Sequence, residues 1–356
     1  MVEFLKSIFS FFGENILFFL PISTKRKREA GEILSNLRNL KKTNPEYAFA
    51  ADLNIEFVRA ATNMFSYVRW LVKRAPVIRR QHREDILELL DLPFERWQKE
   101  AHEKLTILER TLKPIPDLLK PIRERIVAEI IKLGDKNGSI KLINLGCGAM
   151  ELERQIIESL HRADFTSHHP VIFIGVDRSA AALEIVKENL ASVSHNLVDI
   201  QKVSCLDTKT ITKLSEETKC QFLVVILQSD VFELEKLPAN WVDVVYCARF
   251  KHHFNRTSDK RRLDGIAMHI TSNVAIEFDD MCSIPVFIFP SVLTWKWIIT
   301  LNGAILSYLR DPSKKELLSQ AQDDGWELRF DDKFGYYLRI FQAKKGNRNR
   351  LSPCKG

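Results

Sequence analysis

From residue 29 to about residue 110, apolar side chains recur at three- and four-residue steps, most clearly at Ile55, Val58, Ala61, Met64, Phe65, Val68 and Leu71. That spacing lines them along one side of a helix. GEILSNLRNLKK, ADLNIEFVRAATNMFSYVRWLVKRA and REDILELLDLPFERWQKEAHEKLTILERTL therefore read as successive amphipathic helices, and residues 29–115 as an all-helical domain. LKPIPDLLKP, with Pro114, Pro116 and Pro121, breaks the pattern and reads as a linker. Beyond it the period changes. IRERIVAEIIKLGDKNGS is a helix that leads into KLINLGCG, a continuous apolar run of the kind a strand shows when both its faces are buried. VIFIGVD, SAAALEIVKENLASV, QFLVVILQSD, WVDVVYCARF, SNVAIEFDD, KKELLSQAQDDGW and YYLRIFQAKK then alternate between strand and helix character. Alternation predicts an α/β domain over 116–346 with a predominantly parallel sheet, whose ligands bind at the carboxyl ends of the strands. Residues 347–356 read as a basic tail.

Composition adds two constraints. The chain has 356 residues, 45% of them hydrophobic, enough for two cores. Cysteines 147, 205, 220, 247, 282 and 354 have neither CxxC pairing nor metal-ligand spacing, which points to reduced thiols in a cytosolic setting and to no bound metal. Net charge is +7, and 25 Lys/Arg against 19 Asp/Glu through residue 138 put almost all of the excess in the N-terminal part of the chain. A nucleic-acid enzyme is expected to spread that charge over its catalytic half as well, so nucleic acid is the less favoured partner.

The N-terminal segment 1–28 has an apolar side formed by Phe4, Leu5, Ile8, Phe9, Phe12, Ile16 and Phe19, followed by Lys25, Arg26, Lys27 and Arg28. Docking of the aromatic side on the rest of the protein and peripheral association with an anionic membrane are the main readings, and a spanning segment or signal sequence is the least favoured third. Flotation with anionic liposomes separates them.

The chemistry centres on LINLGCGAMELE. Gly146 and Gly148 follow an apolar strand and precede a helix, where a backbone without Cβ can turn tightly and approach a ligand. A second strand, VIFIGVD, ends in Asp177, placed to accept the hydroxyls of a ribose. A dinucleotide loop would require a glycine where Glu151 stands, and a carboxylate there would meet a pyrophosphate at close range. A ligand without phosphate fits better.

LINLGCGAMELE, IGVDRSAAAL, LQSDVFELEKLPANWVDVVYCARFKHHF and AIEFDD resemble, in that order, the motifs of class I S-adenosylmethionine-dependent methyltransferases over residues 120–345. The resemblance implies a Rossmann-like domain with a seven-stranded sheet and S-adenosyl-L-methionine as cofactor. It implies that Asn144, Gly146, Cys147 and Gly148 face the methionyl part, Asp177 the ribose, Arg178 the adenine and Asp230 the adenine amino group, with Asp243 at the start of the fourth strand. Asp207, within an insertion of about 30 residues, is a rival to Asp230, which is favoured by its spacing from DVVY. Asn144 departs from the acid usual at its position. Met150 stands where a third glycine is common, at a point where the helix is expected to have begun. His252 and His253, just past the fourth strand, are candidates for a base that takes the acceptor's proton.

The Asn/Asp-Pro-Pro-Tyr motif of enzymes that methylate base amino groups is replaced here by YCARF. The aromatic stretch with Phe287, Phe289, Trp295, Trp297 and Tyr308 reads either as an apolar acceptor pocket or as plain hydrophobic core. The expected activity is methyl transfer to a small-molecule or lipid-like acceptor. A protein or RNA methyltransferase that holds its substrate with the basic helices is the alternative, and a non-catalytic scaffold of the same fold is a second.

Overall fold

The computed structural model describes residues 24–82, 85–94, 119–134, 137–191, 197–254, 256–280, 298–331 and 336–343, with a few single positions between them. The N-terminal segment 1–23, most of the proline-rich linker, the aromatic residues 287–297 and the basic tail lie outside the described residues. No helix among the described residues is long and apolar enough to cross a membrane.

The chain divides into two compact units, Met1–Leu92 with Phe287–Arg310, and Pro93–Val286 with Asp311–Gly356. This differs from the linear division expected from sequence. Helix α1 (Thr24–Thr43), α2 (Ala48–Ala61), α3 (Met64–Lys73) and α4 (Ala75–His82) belong to the first unit, and so does a later helix, Ile298–Arg310. Buried polar groups explain why that helix leaves the second half. The Asn302 amide donates to Asn54 Oδ1 (2.6 Å) and its Oδ1 accepts the Leu89 N–H (2.7 Å). The fully buried Arg310 guanidinium binds Asp91 (2.8 Å), Glu88 and the Ile86 carbonyl. A guanidinium or amide taken out of water has to find its partners inside the protein, and for these two residues they lie in the first 92.

The second unit is an α/β domain, the class expected. Its described elements are α5 (Lys120–Lys132), β1 (Ile140–Leu145), α6 (Glu151–Arg162), β2 (Val171–Asp177), α7 (Ala180–Glu184), α8 (Val186–Leu190), β3 (Val198–Val203), α9 (Thr208–Glu217), β4 (Phe222–Gln228), β5 (Val242–Ala248), α10 (Thr257–Ile270) and β6 (Thr271–Asp280). The chain resumes with α11 (Ile298–Arg310, of the first unit), α12 (Lys314–Asp324), β7 (Glu327–Asp331) and β8 (Tyr336–Gln342). The sheet runs β3-β4-β2-β1-β5-β6-β8-β7, parallel from β3 to β6, with β8 antiparallel to both β6 and β7. Among the described residues it has eight strands rather than seven. The extra one is β3, inside the insertion, whose half-buried positions suit a sheet edge and lack the apolar run by which the central strands announce themselves.

Alternation along each strand sorts side chains to two cores. Ile140, Leu142, Val244, Tyr246, Val274, Ile276, Leu338 and Ile340 face one, against Ile126, Ile130, Ile156 and Leu160 of α5 and α6. Ile143, Leu145, Val245, Cys247 and Ala275 face the other, against Leu263, Ile266 and Ala267 of α10. Charge enters this second face at Glu277 and Arg339, opposite each other in the β6–β8 register. Arg339 donates to Glu277 (2.9 Å) and Asp264 (3.3 Å), and Lys251 donates to Asp264 (2.7 and 2.8 Å) and Glu277 (3.2 Å). Tyr337 adds its hydroxyl to Glu277 (2.6 Å). Burial by itself would raise the Glu277 pKa, but the Arg339 and Lys251 cations outweigh it and hold the carboxyl below its usual range.

Replacing Arg339 by Met would leave two buried carboxylates sharing one cation, so the variant is expected to lose about 3–5 kcal/mol in urea denaturation followed by circular dichroism.

Candidate functional site

Strand order locates the site. From β1 the chain moves to β2, then out to the edge strand β3 and back to β4 between them, before it crosses to β5 on the other side of β1 and proceeds to β6. The sheet therefore has its topological switch between β1 and β5, the place where doubly wound sheets bind ligands at the carboxyl ends of their strands. Two segments flank it, Gly146–Met150 after β1 and Arg249–His253 after β5.

The first segment is a chain of left-handed residues: Gly146 at φ +71°, Gly148 at φ +52° and Met150 at φ +57°. Met150 does not lie inside the helix as expected. It is the N-cap of α6, fully buried, in the conformation a glycine would adopt without strain. Burial of its side chain offsets the backbone cost. A Cβ built on Gly175 of β2 would come within 2.9 Å of Met150 Sδ and 2.8 Å of Cys147 Sγ, so the absence of a side chain at Gly175 makes room for both sulfurs. Gly146 has the same role toward Phe250, whose ring would lie 2.0 Å from an added Cβ. Gly148 has open space on its Cβ side, which leaves the backbone there approachable.

Asp177 at the end of β2 braces this turn. One carboxylate oxygen accepts the Gly148 N–H (2.8 Å) and the other accepts the Ser179 N–H (2.8 Å). Each oxygen keeps a further lone pair, so the bracing leaves acceptor capacity for a ligand. Arg178 is exposed beside it, and the Cys147 thiol is buried, which pushes its pKa up. Asp230 lies two residues beyond Gln228, the register partner of Asp177, and caps the 3₁₀ turn Val231–Lys236 through the Phe232 N–H (2.9 Å). Its neighbour Ser229 donates its N–H to the Asp177 carbonyl (3.0 Å). Asp207 instead caps α9 after the edge strand β3, with β4 between β3 and β2, and both its oxygens bind Thr210. Asp243 is buried near the opposite end of β5, where it accepts the Lys141 N–H (2.9 Å).

Beneath the glycine turn is a group that sequence reasoning missed. Glu153 of α6 is fully buried, and its Oε1 accepts from Asn144 Nδ2 (2.6 Å) and from the Tyr246 hydroxyl (2.7 Å). Asn144 and Tyr246 are register partners on β1 and β5, so one carboxylate ties both strands to the helix at the switch point. Burial raises the Glu153 pKa above its usual range, opposed by these two hydrogen bonds. Glu153 Oε2 and Asn144 Oδ1 are buried with no hydrogen-bond partner among the described residues. A carboxylate three residues into a helix, on its apolar side, was the available sign.

On the β5 side, Lys251, His252 and His253 form a single 3₁₀ turn. Lys251 is held by the ionic cluster below it. His252 is buried and clamped by Asp279 at the end of β6, through its backbone N–H to Oδ2 (3.1 Å) and its Nδ1 to Oδ1 (2.6 Å). His253 is half-buried, with its ring 4.4 Å from that of His252. His252, Asp279 and Asp311, all buried, each offer a donor atom within 4.8 Å of the others, a set chemically able to hold a cation. Asp279 stands in the AIEFDD motif without having been singled out.

No protein-family model matches the chain, and no curated protein matches it. Among solved structures it is similar to the plantazolicin methyltransferase BamL in complex with a triazolic desmethylPZN analog and SAH (12% identity, 76% of this chain and 99% of that one, TM-score 0.44). It is also similar to the CurJ carbon methyltransferase (12% identity, 87% of this chain and 70% of that one, TM-score 0.44). A third likeness is to the methyltransferase domain of a bacterial Hen1 (16% identity, 63% of this chain and 99% of that one, TM-score 0.38).

Replacing Gly146 by Ala combines left-handed strain with overlap on the Phe250 ring, so about 2–5 kcal/mol of stability is expected to be lost. Adding Phe250→Ala should recover the overlap part and leave the strain, measurable as non-additivity in urea denaturation.

Proposed function

We propose that this protein is a class I methyltransferase that uses S-adenosylmethionine to methylate a small-molecule or lipid-like acceptor. The observation that supports it best is the turn at the switch point, built on Gly146 and Gly148 and braced by the carboxylate that ends the next strand. The residues fit the cofactor. Gly148 leaves its backbone open, Asp177 has lone pairs to spare for ribose hydroxyls, and buried acceptors without partners stand beneath the turn at Asn144 and Glu153.

In this reading Gly146, Cys147 and Gly148 form the wall along the methionyl part, Asp177 binds the ribose, and Arg178 and Asp230 flank the adenine. Asp230 suits that role better than Asp207, because its loop is bonded to the backbone of Asp177 whereas Asp207 follows the edge strand. When bound, the cofactor supplies a methyl group on a sulfonium, an electrophile. His252 then serves as the base. With Nδ1 engaged by Asp279, Nε2 would be the nitrogen left to take the proton of an acceptor O–H or N–H. Asp279 sets the tautomer and stabilises the imidazolium that results. The aromatic stretch 287–297 favours an apolar acceptor by composition.

Calorimetry is expected to detect S-adenosylmethionine binding by the wild type and at least tenfold weaker binding by Asp177→Ala. Absence of binding at millimolar cofactor in a folded sample would overturn the reading. His252→Ala should keep cofactor affinity within about twofold while transfer of labelled methyl into a fractionated cell extract drops about 10²-fold.

A further inference from the structure

The arrangement of Asn144, Glu153 and Tyr246 has a directional consequence. Glu153 Oε1 already accepts the Tyr246 hydroxyl, so toward Asn144 it is again an acceptor, and the side-chain nitrogen of Asn144 has to face it. An asparagine amide is planar. Once its nitrogen is committed to the helix side, its oxygen points away from Glu153. That oxygen is buried and without a partner among the described residues, on the penultimate residue of β1, two residues before Gly146. A buried carbonyl oxygen left without a donor has lost its hydration for nothing in return, a deficit that a donor brought by a ligand removes.

We propose that Glu153 is a positioning residue that locks the Asn144 amide so that its oxygen accepts a hydrogen bond from the ammonium of the cofactor's amino-acid end. The proposal rests on the cofactor reading above. It gives this chain a means of recognising an ammonium at a strand position that carries no charge of its own. The groups around Glu153 are Asn144 on β1, Tyr246 on β5, Cys147 in the glycine turn and Glu151 on its own helix. None of these is a cation. Glu151 is itself engaged by Arg154, with one bond of 2.9 Å, so Glu153 is the carboxylate bonded to the strand.

Two ligands separate positioning from mere structural support. S-Adenosylhomocysteine carries the ammonium, whereas methylthioadenosine has the same nucleoside and thioether but no amino-acid end. In Glu153→Gln the new amide can present its own nitrogen to Asn144 and let that side chain invert, turning N–H groups toward the ligand's ammonium. S-Adenosylhomocysteine is expected to bind about tenfold more weakly, with methylthioadenosine within twofold of wild type, both measured by calorimetry. Asn144→Leu should give the same ligand-selective loss, and the double variant should add little to either single one. If Glu153→Gln does not fold, Asn144→Leu alone carries the comparison. Equal weakening of the two ligands, or no change in either, overturns the proposal while leaving the cofactor reading intact. A folded wild type that binds neither ligand overturns both.

Discussion

The turn that follows β5 hangs from one buried set of charges: Lys251, Asp264, Glu277 and Arg339. Two cations face two carboxylates inside the sheet's second core, each cation reaching both anions. Pairs of this kind contribute little net stability, because desolvation takes back most of the attraction. Their value is positional. Lys251 cannot leave without stranding Asp264 and Glu277, and His252 follows it directly in the chain. The histidine's placement is thus set from below by the lysine and from the side by Asp279, two constraints from strands β6 and β8 and helix α10.

The same rule of alternation builds both flanks of the switch point. Successive strand residues point to opposite faces, so β1 and β5 send Asn144 and Tyr246 to the face covered by α6, where Glu153 meets them. On β6 and β8, Glu277 and Arg339 take the other face. One polar anchor therefore lies on each side of the sheet, and both end at the switch point between β1 and β5. The first orients a strand side chain and the second orients a loop. Between them the backbone is left approachable at Gly148, where no side chain crowds it.

Much of this was legible in the chain. The apolar runs of KLINL, VIFIGVD and QFLVVILQ are what a strand buried on both faces requires, and they became β1, β2 and β4. Gly146, Gly148 and Asp177 were recognisable because turn geometry and charge restrict those positions to few residue types. What the sequence concealed depended on partners far along the chain. Glu153 reads as one more acid in an acidic first turn until Tyr246, 93 residues away, is brought against it. Gly175 looks like a gap in a strand until two sulfurs are seen to occupy the space. Strand β3 was missed because an edge strand needs no apolar run, and helix Ile298–Arg310 was assigned to its neighbours in sequence because its buried Asn302 and Arg310 have partners more than 200 residues earlier.

That last helix makes the first unit discontinuous, with consequences for the order of synthesis. A ribosome releases residues 24–92 long before residue 298, so the helical unit emerges without the segment that satisfies Asn54 and the Glu88–Asp91 turn. Strands β1 to β6 are all made in the interval. The parallel core of the second unit can begin to assemble while the first still waits for its closing helix, so the part of the chain born first is the part completed later. Until then its exposed apolar positions are the ones a growing chain most needs to shield.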